Sequence, residues 1–117
     1  IVRRLVGSEM CIRDRFKHYD FLALPSAQLF PFEKNLNNPE FINDNKIDTY
    51  HRYMEVYTLS SLLGLPTISI PVGFNNKGLP MGMQIIANVK EDNKVINFAN
   101  SYEEIFNFSK FKPKLMQ

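Results

Sequence analysis

Two short apolar segments separated by a turn-rich stretch constrain the fold of this chain more than any other feature. Residues 67–72 read TISIPV and residues 81–87 read MGMQIIA. Near-continuous runs of β-branched and aliphatic residues are typical of strands that are buried on both faces. The stretch between them, GFNNKGLP, carries the glycine, asparagine and proline that favour turns. Because a parallel crossover needs a dozen or more residues, we predict an interior strand over 67–72 paired antiparallel to the next strand.

Upstream of this pair, the pattern changes from strand to loop. Residues 19–24, YDFLAL, predict a short buried strand that is ended by Pro25. Residues 26–46 predict a long polar loop with embedded aromatic residues. Loops of this length are uncommon in compact domains unless they serve a function, so we expect this one to pack against the fold.

Two helices complete the chain, one before and one after the strand pair in the sequence. The first begins near Ile47, is capped by Asp44 or Asn45, and ends at Gly64. Its predicted face comprises Ile47, Tyr50, Met54, Tyr57 and Ser61. The second is capped by Asp92. Its predicted buried face comprises Val95, Phe98, Ala99, Tyr102 and Phe106.

The resulting order of strand, loop, helix, two strands and helix places the chain in the α/β class. Two helices cannot cover both faces of a sheet whose strands are this apolar. We therefore expect an incomplete domain, one flank of a larger sheet with an edge exposed.

The first fifteen residues, IVRRLVGSEMCIRDR, differ from the rest of the chain. They contain the only cysteine, Cys11, and their four basic and two acidic residues account for the whole net charge of +2. Residues 5–15 match the translation of a transposase-type sequencing adapter at every position. Poor apolar spacing and Gly7 argue against an amphipathic helix. We interpret residues 1–15 as a non-native segment, and residues 16–117 as a fragment of a natural domain.

No complete catalytic constellation is evident in the remaining residues. Ser60 and Ser61 lie in a helical stretch without a nucleophile elbow, and His51 has no metal-ligand cluster around it. Glu103 and Glu104 are adjacent and diverge on a helix. We therefore assign no catalytic residue and no metal site. No glycine-rich phosphate loop, basic nucleic-acid surface, signal peptide or membrane segment is recognised, so we expect a cytoplasmic protein that binds neither nucleic acid nor membrane.

Two segments carry a family resemblance. Residues 19–28, YDFLALPSAQ, resemble the aspartate–apolar–proline–small pattern near the end of amidase signature enzymes. Residues 63–87, LGLPTISIPVGFNNKGLPMGMQIIA, are similar to that family's longer and more specific element, which is also followed by a helix. Residues 48–51 and 98–105 are compatible with the same pattern.

The resemblance implies the C-terminal part of a large mixed β-sheet sandwiched by helices, from an amidase that hydrolyses carboxamide C–N bonds. Its machinery would be a serine nucleophile, a second serine in a cis linkage and a lysine base, all upstream of this fragment. No cofactor is implied, and the partner would be a small-molecule amide. Leu29, Phe30 and Phe32 are the candidate substrate-binding residues. The alternatives are the A-type subunit of a tRNA-dependent amidotransferase and a small non-catalytic binding module.

Overall fold

The computed structural model describes residues 2–112, apart from several side chains among the first nine residues. The last five residues of the predicted 16–117 fragment lie outside the described range. The helices and strands are, in chain order, α1 (Val2–Arg15), β1 (Leu22–Pro25), β2 (Phe41–Ile42), β3 (Asn45–Lys46), α2 (Glu55–Leu63), β4 (Thr67–Phe74), β5 (Pro80–Ile86) and α3 (Asp92–Phe106). Two 3₁₀ helices, Tyr50–Met54 and Phe108–Lys110, precede α2 and follow α3.

A three-stranded antiparallel sheet forms the centre of the structure, with strand order β1-β5-β4. The predicted antiparallel pair is confirmed, with Ile68 opposite Ile85 and Ile70 opposite Met83. The prediction of an interior strand over 67–72 is wrong for the described residues, because β4 pairs with β5 alone and forms an edge. A β-bulge interrupts β4 between Pro71 and Gly73.

The buried core lies between one face of this sheet and α3. Ile70, Ile85, Ala87 and Val95 form the core cluster, each at most 5% exposed. Phe98, Ala99 and Tyr102 of α3 pack against it, which confirms most of the predicted helix face. Phe106 is half exposed, so its predicted burial is wrong. Since side chains alternate along a strand, Gln84 and Ile86 point to the opposite face, and both are buried.

The helix before β4 starts later than the sequence predicts. Asp44 and Asn45 do not cap it, because they lie in a small β2–β3 hairpin. Asn43 and Asp44 adopt positive φ there, a conformation that short polar side chains tolerate in hairpin turns. A 3₁₀ helix precedes α2, so the side chains do not follow the predicted α-helical face. Tyr50 and Ser61 are exposed, whereas Ser60 is buried. The predicted stop is confirmed, since Gly64 adopts a left-handed φ of 61°.

The ends of the other two helices also differ from expectation. α3 begins at Asp92, one residue after the cap position, which Glu91 occupies without a capping side-chain hydrogen bond. Residues 2–15 form a helix, and Gly7 does not interrupt it. Ile12 of this helix is 8% exposed, so the segment packs against the fold. Its adapter-like origin stays a prediction.

The dimensions of the structure are those of a slab. Its extents are 44 × 40 × 19 Å, and its radius of gyration is 16.4 Å. A compact domain of this length would have a radius of gyration of about 13 Å. The thin axis accommodates the sheet and one layer of helix, since packed layers lie about 10 Å apart.

None of the helices described within residues 2–112 has the length and apolar character that a membrane span requires.

Candidate functional site

An apolar cavity of about 200 Å³ lies where the loop after β1 passes the start of β5. Its lining comes from the loop, the first 3₁₀ helix and β5: Ser26, Ala27, Leu29, Phe30, Pro31, Phe32, Tyr53, Pro80, Met81 and Gly82. The structure therefore brings the three candidate substrate-binding residues, Leu29, Phe30 and Phe32, to a single cavity. Apolar clefts with a few polar groups are the usual form of small-molecule sites.

The loop is held against the sheet by a close backbone approach. The backbone N–H of Ser26 donates to the carbonyl oxygen of Gly82 at 3.0 Å. A Cβ atom at Gly82 would lie 2.5 Å from Ser26 Oγ and 3.2 Å from the Ile70 carbonyl oxygen. Glycine at position 82 thus lets the loop begin directly over β5, which places the following apolar residues beside the sheet.

Aromatic rings form the outer part of the cavity. Phe30 and Phe32 are 40% and 39% exposed, so each retains surface that a ligand could cover. Phe32 meets Tyr53 edge to face, with ring centroids 6.2 Å apart. Sequence reasoning missed Tyr53 because the predicted α-helical face ran through Tyr50 and Met54. The three-residue repeat of a 3₁₀ helix could have indicated Tyr53.

A second cavity, of about 500 Å³, is lined mainly by polar and charged residues. It is lined by Gln28, Ile42, Asn43, Asn45, Lys46, Ile47, Asp48, Arg52 and Glu55. Arg52 forms ion pairs of 2.9 Å with Asp48 and with Glu55. The hydrogen bond from Arg52 lowers the pKa of Asp48. These ion pairs are local, since their partners are three and four residues apart and their side chains are exposed. The contact with the loop is made by Gln28, whose Nε2 atom donates to the Arg52 carbonyl oxygen at 2.8 Å.

The serines and the histidine considered as chemical groups have structural contacts. The hydroxyls of Ser60 and Ser61 each donate to the Tyr57 carbonyl oxygen at 3.3 Å, a bond that ties them to their own helix. The His51 ring lies on the Tyr50 ring, with centroids 3.9 Å apart. Among the described residues, no group of three or more potential metal ligands is present.

Comparison with known proteins decides the family. The sequence model of the amidase family matches residues 3–96, which is most of the chain. The chain belongs to the amidase signature family. The match confirms the predicted family, and its first residues fall inside the segment that we interpret as an adapter translation.

The curated relatives of this chain include amidotransferase components. The A-type subunit of glutamyl-tRNA(Gln) amidotransferase from Prochlorococcus marinus strain MED4 is 36% identical over 97% of the chain and 22% of the relative. Its counterpart from Rickettsia bellii strain OSU 85-389 is 33% identical over 96% of the chain and 21% of the relative. The chain therefore spans about a fifth of the length of these relatives.

Solved structures confirm the predicted α/β fold as part of a larger one. A bacterial aryl acylamidase of the amidase signature family superposes with a TM-score of 0.80 and 27% identity, over 91% of this chain and 22% of that protein. The A-type subunit of the Thermotoga maritima glutamyl-tRNA(Gln) amidotransferase superposes with a TM-score of 0.56 and 29% identity, over 74% of the chain and 18% of that protein.

Proposed function

We propose that this chain is the C-terminal part of an amidase that hydrolyses carboxamides with an apolar group, and that it supplies one wall of the substrate pocket. The observation that carries the proposal is the gathering of Leu29, Phe30 and Phe32 around one apolar cavity. Covering exposed apolar surface gives a favourable free energy of binding, so such a wall favours carbon-rich substrates over small polar ones.

The proposed reaction is acyl transfer through residues outside this chain. A serine hydroxyl attacks the amide carbon, and its proton passes through the second serine and the lysine to the leaving nitrogen. The C–N bond then breaks, the amine departs, and water hydrolyses the acyl-serine ester. This chain would hold the apolar part of the substrate and exclude water beside it. No cofactor takes part.

The second candidate is the A-type subunit of an amidotransferase. It is favoured by the curated relatives, which are 33–40% identical to the chain and carry that name. Glutamine, taken here as the amide donor of this candidate, has a polar side chain that gains little from an apolar wall. The size selectivity of the full-length enzyme therefore separates the two candidates.

The decisive experiment measures the full-length enzyme on three substrates: an acetanilide, acetamide and glutamine. We expect the acetanilide to have the highest kcat/KM. We expect Phe32→Ala to raise its KM by about tenfold with little effect on acetamide, because only the larger substrate reaches the ring. Phe41→Ala is the matched control, since Phe41 is 54% exposed and does not line the cavity.

Two results would contradict the proposal. A preference for glutamine, with no turnover of the acetanilide, would identify the amidotransferase instead. Equal KM changes in the Phe32 and Phe41 variants would show that the cavity does not contact the substrate.

The isolated chain gives a separate test of the proposal that it is part of a larger domain. We expect it to be inactive, to bind the dye ANS and to lack a cooperative thermal transition, since its apolar strands have too few neighbours. The large exposed apolar residues, such as Leu62 at 66% and Ile105 at 75%, support this expectation. A monomeric chain that melts cooperatively would favour the small binding module.

A further inference from the structure

A buried carboxamide joins the two chain segments that border the apolar cavity. Gln84 lies in β5, the middle strand of the sheet, and is 3% exposed. Its Nε2 atom donates to the carbonyl oxygen of Pro25 at 3.0 Å and to that of Val56 at 2.8 Å. The two acceptors are 59 and 28 residues away in sequence, so this contact depends on the tertiary fold.

One acceptor is adjacent in sequence to a residue that lines the cavity, and the other is one helical turn away from such a residue. Pro25 ends β1 and is followed directly by Ser26, the first residue of the lining. Val56 lies in the first turn of α2, three residues after Tyr53. The Gln84 amide thus ties the start of the loop and the start of α2 to the same strand. Hydrogen bonds from a buried donor of this kind rigidify a site, because a buried N–H group without its acceptor is costly.

To reach both carbonyl oxygens, residue 84 needs a long side chain that ends in two N–H donors. Methionine has a similar length but no N–H group, so it would leave both carbonyls without this donor. A glutamate has the same shape, but its carboxylate would face two carbonyl oxygens as an acceptor. Asparagine keeps the amide and is one methylene shorter.

We propose that Gln84 is a positioning residue that sets the width of the apolar cavity, and through it the selection of amide substrates by size. This inference rests on the proposed function, because it takes the cavity to hold the apolar group of the substrate. Gln84 contacts the backbone beside the cavity at Pro25 and Val56. The selectivity itself arises at lining residues such as Phe32.

The test compares Gln84→Met with Val95→Ala in the full-length enzyme. Val95 is 5% exposed and packs on the α3 face of the sheet, away from the cavity. Its variant therefore reports the effect of lost stability alone. We expect Gln84→Met to lower the acetanilide-to-acetamide ratio of kcat/KM by about fivefold, mainly through KM, as loss of one to two hydrogen bonds would do. We expect Val95→Ala to leave that ratio unchanged.

Amide hydrogen exchange gives a second readout that does not depend on activity. In Gln84→Met, we expect residues 26–32 and 53–57 to exchange faster while β4 stays protected. In Val95→Ala, we expect faster exchange in α3 instead. If the methionine variant does not accumulate as folded protein, Gln84→Asn carries the same expectation in the same direction.

The outcomes separate this inference from the proposed function. If Phe32→Ala changes the selectivity ratio and the Gln84 variants do not, the positioning role is wrong and the pocket assignment stands. If neither substitution changes the ratio, the proposed function fails as well. The positioning role would also be overturned if Gln84→Met and Val95→Ala had equal effects on the acetanilide-to-acetamide ratio of kcat/KM and on amide hydrogen exchange.

Discussion

The sheet and the segment over residues 26–54 are held together in different ways. At the end of β5, the four consecutive residues from Gln84 to Ala87 are each at most 3% exposed. In residues 26–54, Pro39 is the one buried residue. The sheet is fixed by continuous strand pairing and packing, whereas the segment is fixed at a few points, such as the contact between Ser26 and Gly82. The candidate site lies in the less constrained region, as is usual when a rigid scaffold positions a functional loop.

The largest expected effect comes from the same truncation made in each region. Ile85→Ala in the sheet should reduce the free energy of unfolding by about 2–5 kcal/mol, because Ile85 is 2% exposed and leaves a cavity. Ile42→Ala in the segment should cost less than about 1 kcal/mol, since Ile42 is only half buried. Urea unfolding of the full-length enzyme measures both, and equal losses would remove the distinction between the regions.

The contact between the two regions should show an intermediate effect. Gly82→Ala should destabilise the full-length enzyme by about 1–3 kcal/mol, because the added methyl overlaps Ser26 Oγ. Ser26→Gly removes that oxygen, so the double variant should recover part of the loss. The 3.2 Å approach to the Ile70 carbonyl oxygen remains in the double variant. A double-mutant cycle in urea unfolding measures the coupling, and additive effects would show that the approach is not tight.

The smallest effect is expected at the end of α3, where an exposed carboxylate holds the second 3₁₀ helix. The Glu103 carboxylate accepts from the backbone N–H groups of Ser109 at 2.9 Å and Phe108 at 3.1 Å. Hydrogen bonds from the Ser109 hydroxyl and backbone, and then from Phe108, hold the pKa of Glu103 below its ordinary value of 4.5.

A lowered pKa in the folded state gives stabilisation that is complete above the ordinary value and is lost as the pH falls through the folded-state pKa. We therefore expect the Phe108 and Ser109 amides to lose exchange protection, relative to the amides of α3, only at acid pH. Glu103→Gln should remove this pH dependence. Protection that is unchanged down to the folded-state pKa and below it would contradict the contact.

The sequence predicts the sheet better than it predicts the segment. The antiparallel pair follows from local composition and a short turn, and both strands form within two residues of the expected positions. The 3₁₀ turn at Tyr53 and the hairpin at Asp44 depend on what surrounds them, because asparagine and aspartate suit turns as well as caps.

The candidate site is partly predictable for the same reason. Leu29, Phe30 and Phe32 are visible as apolar residues in a polar loop, and the structure places them together. Tyr53 and Met81 join them only through tertiary contacts. Gln84 is a polar residue in an apolar strand, and nothing local indicates that its partners are Pro25 and Val56.

The interruption in β4 has a consequence for self-association. An uncovered sheet edge is a template on which strands of other molecules can add. In β4, Pro71 offers no N–H group, and the bulge before Gly73 shifts the register beyond it. An incoming strand would therefore find two short stretches in place of one long ladder. The edge that this chain leaves open is poorly suited to seeding β-aggregates while the rest of the enzyme is folding.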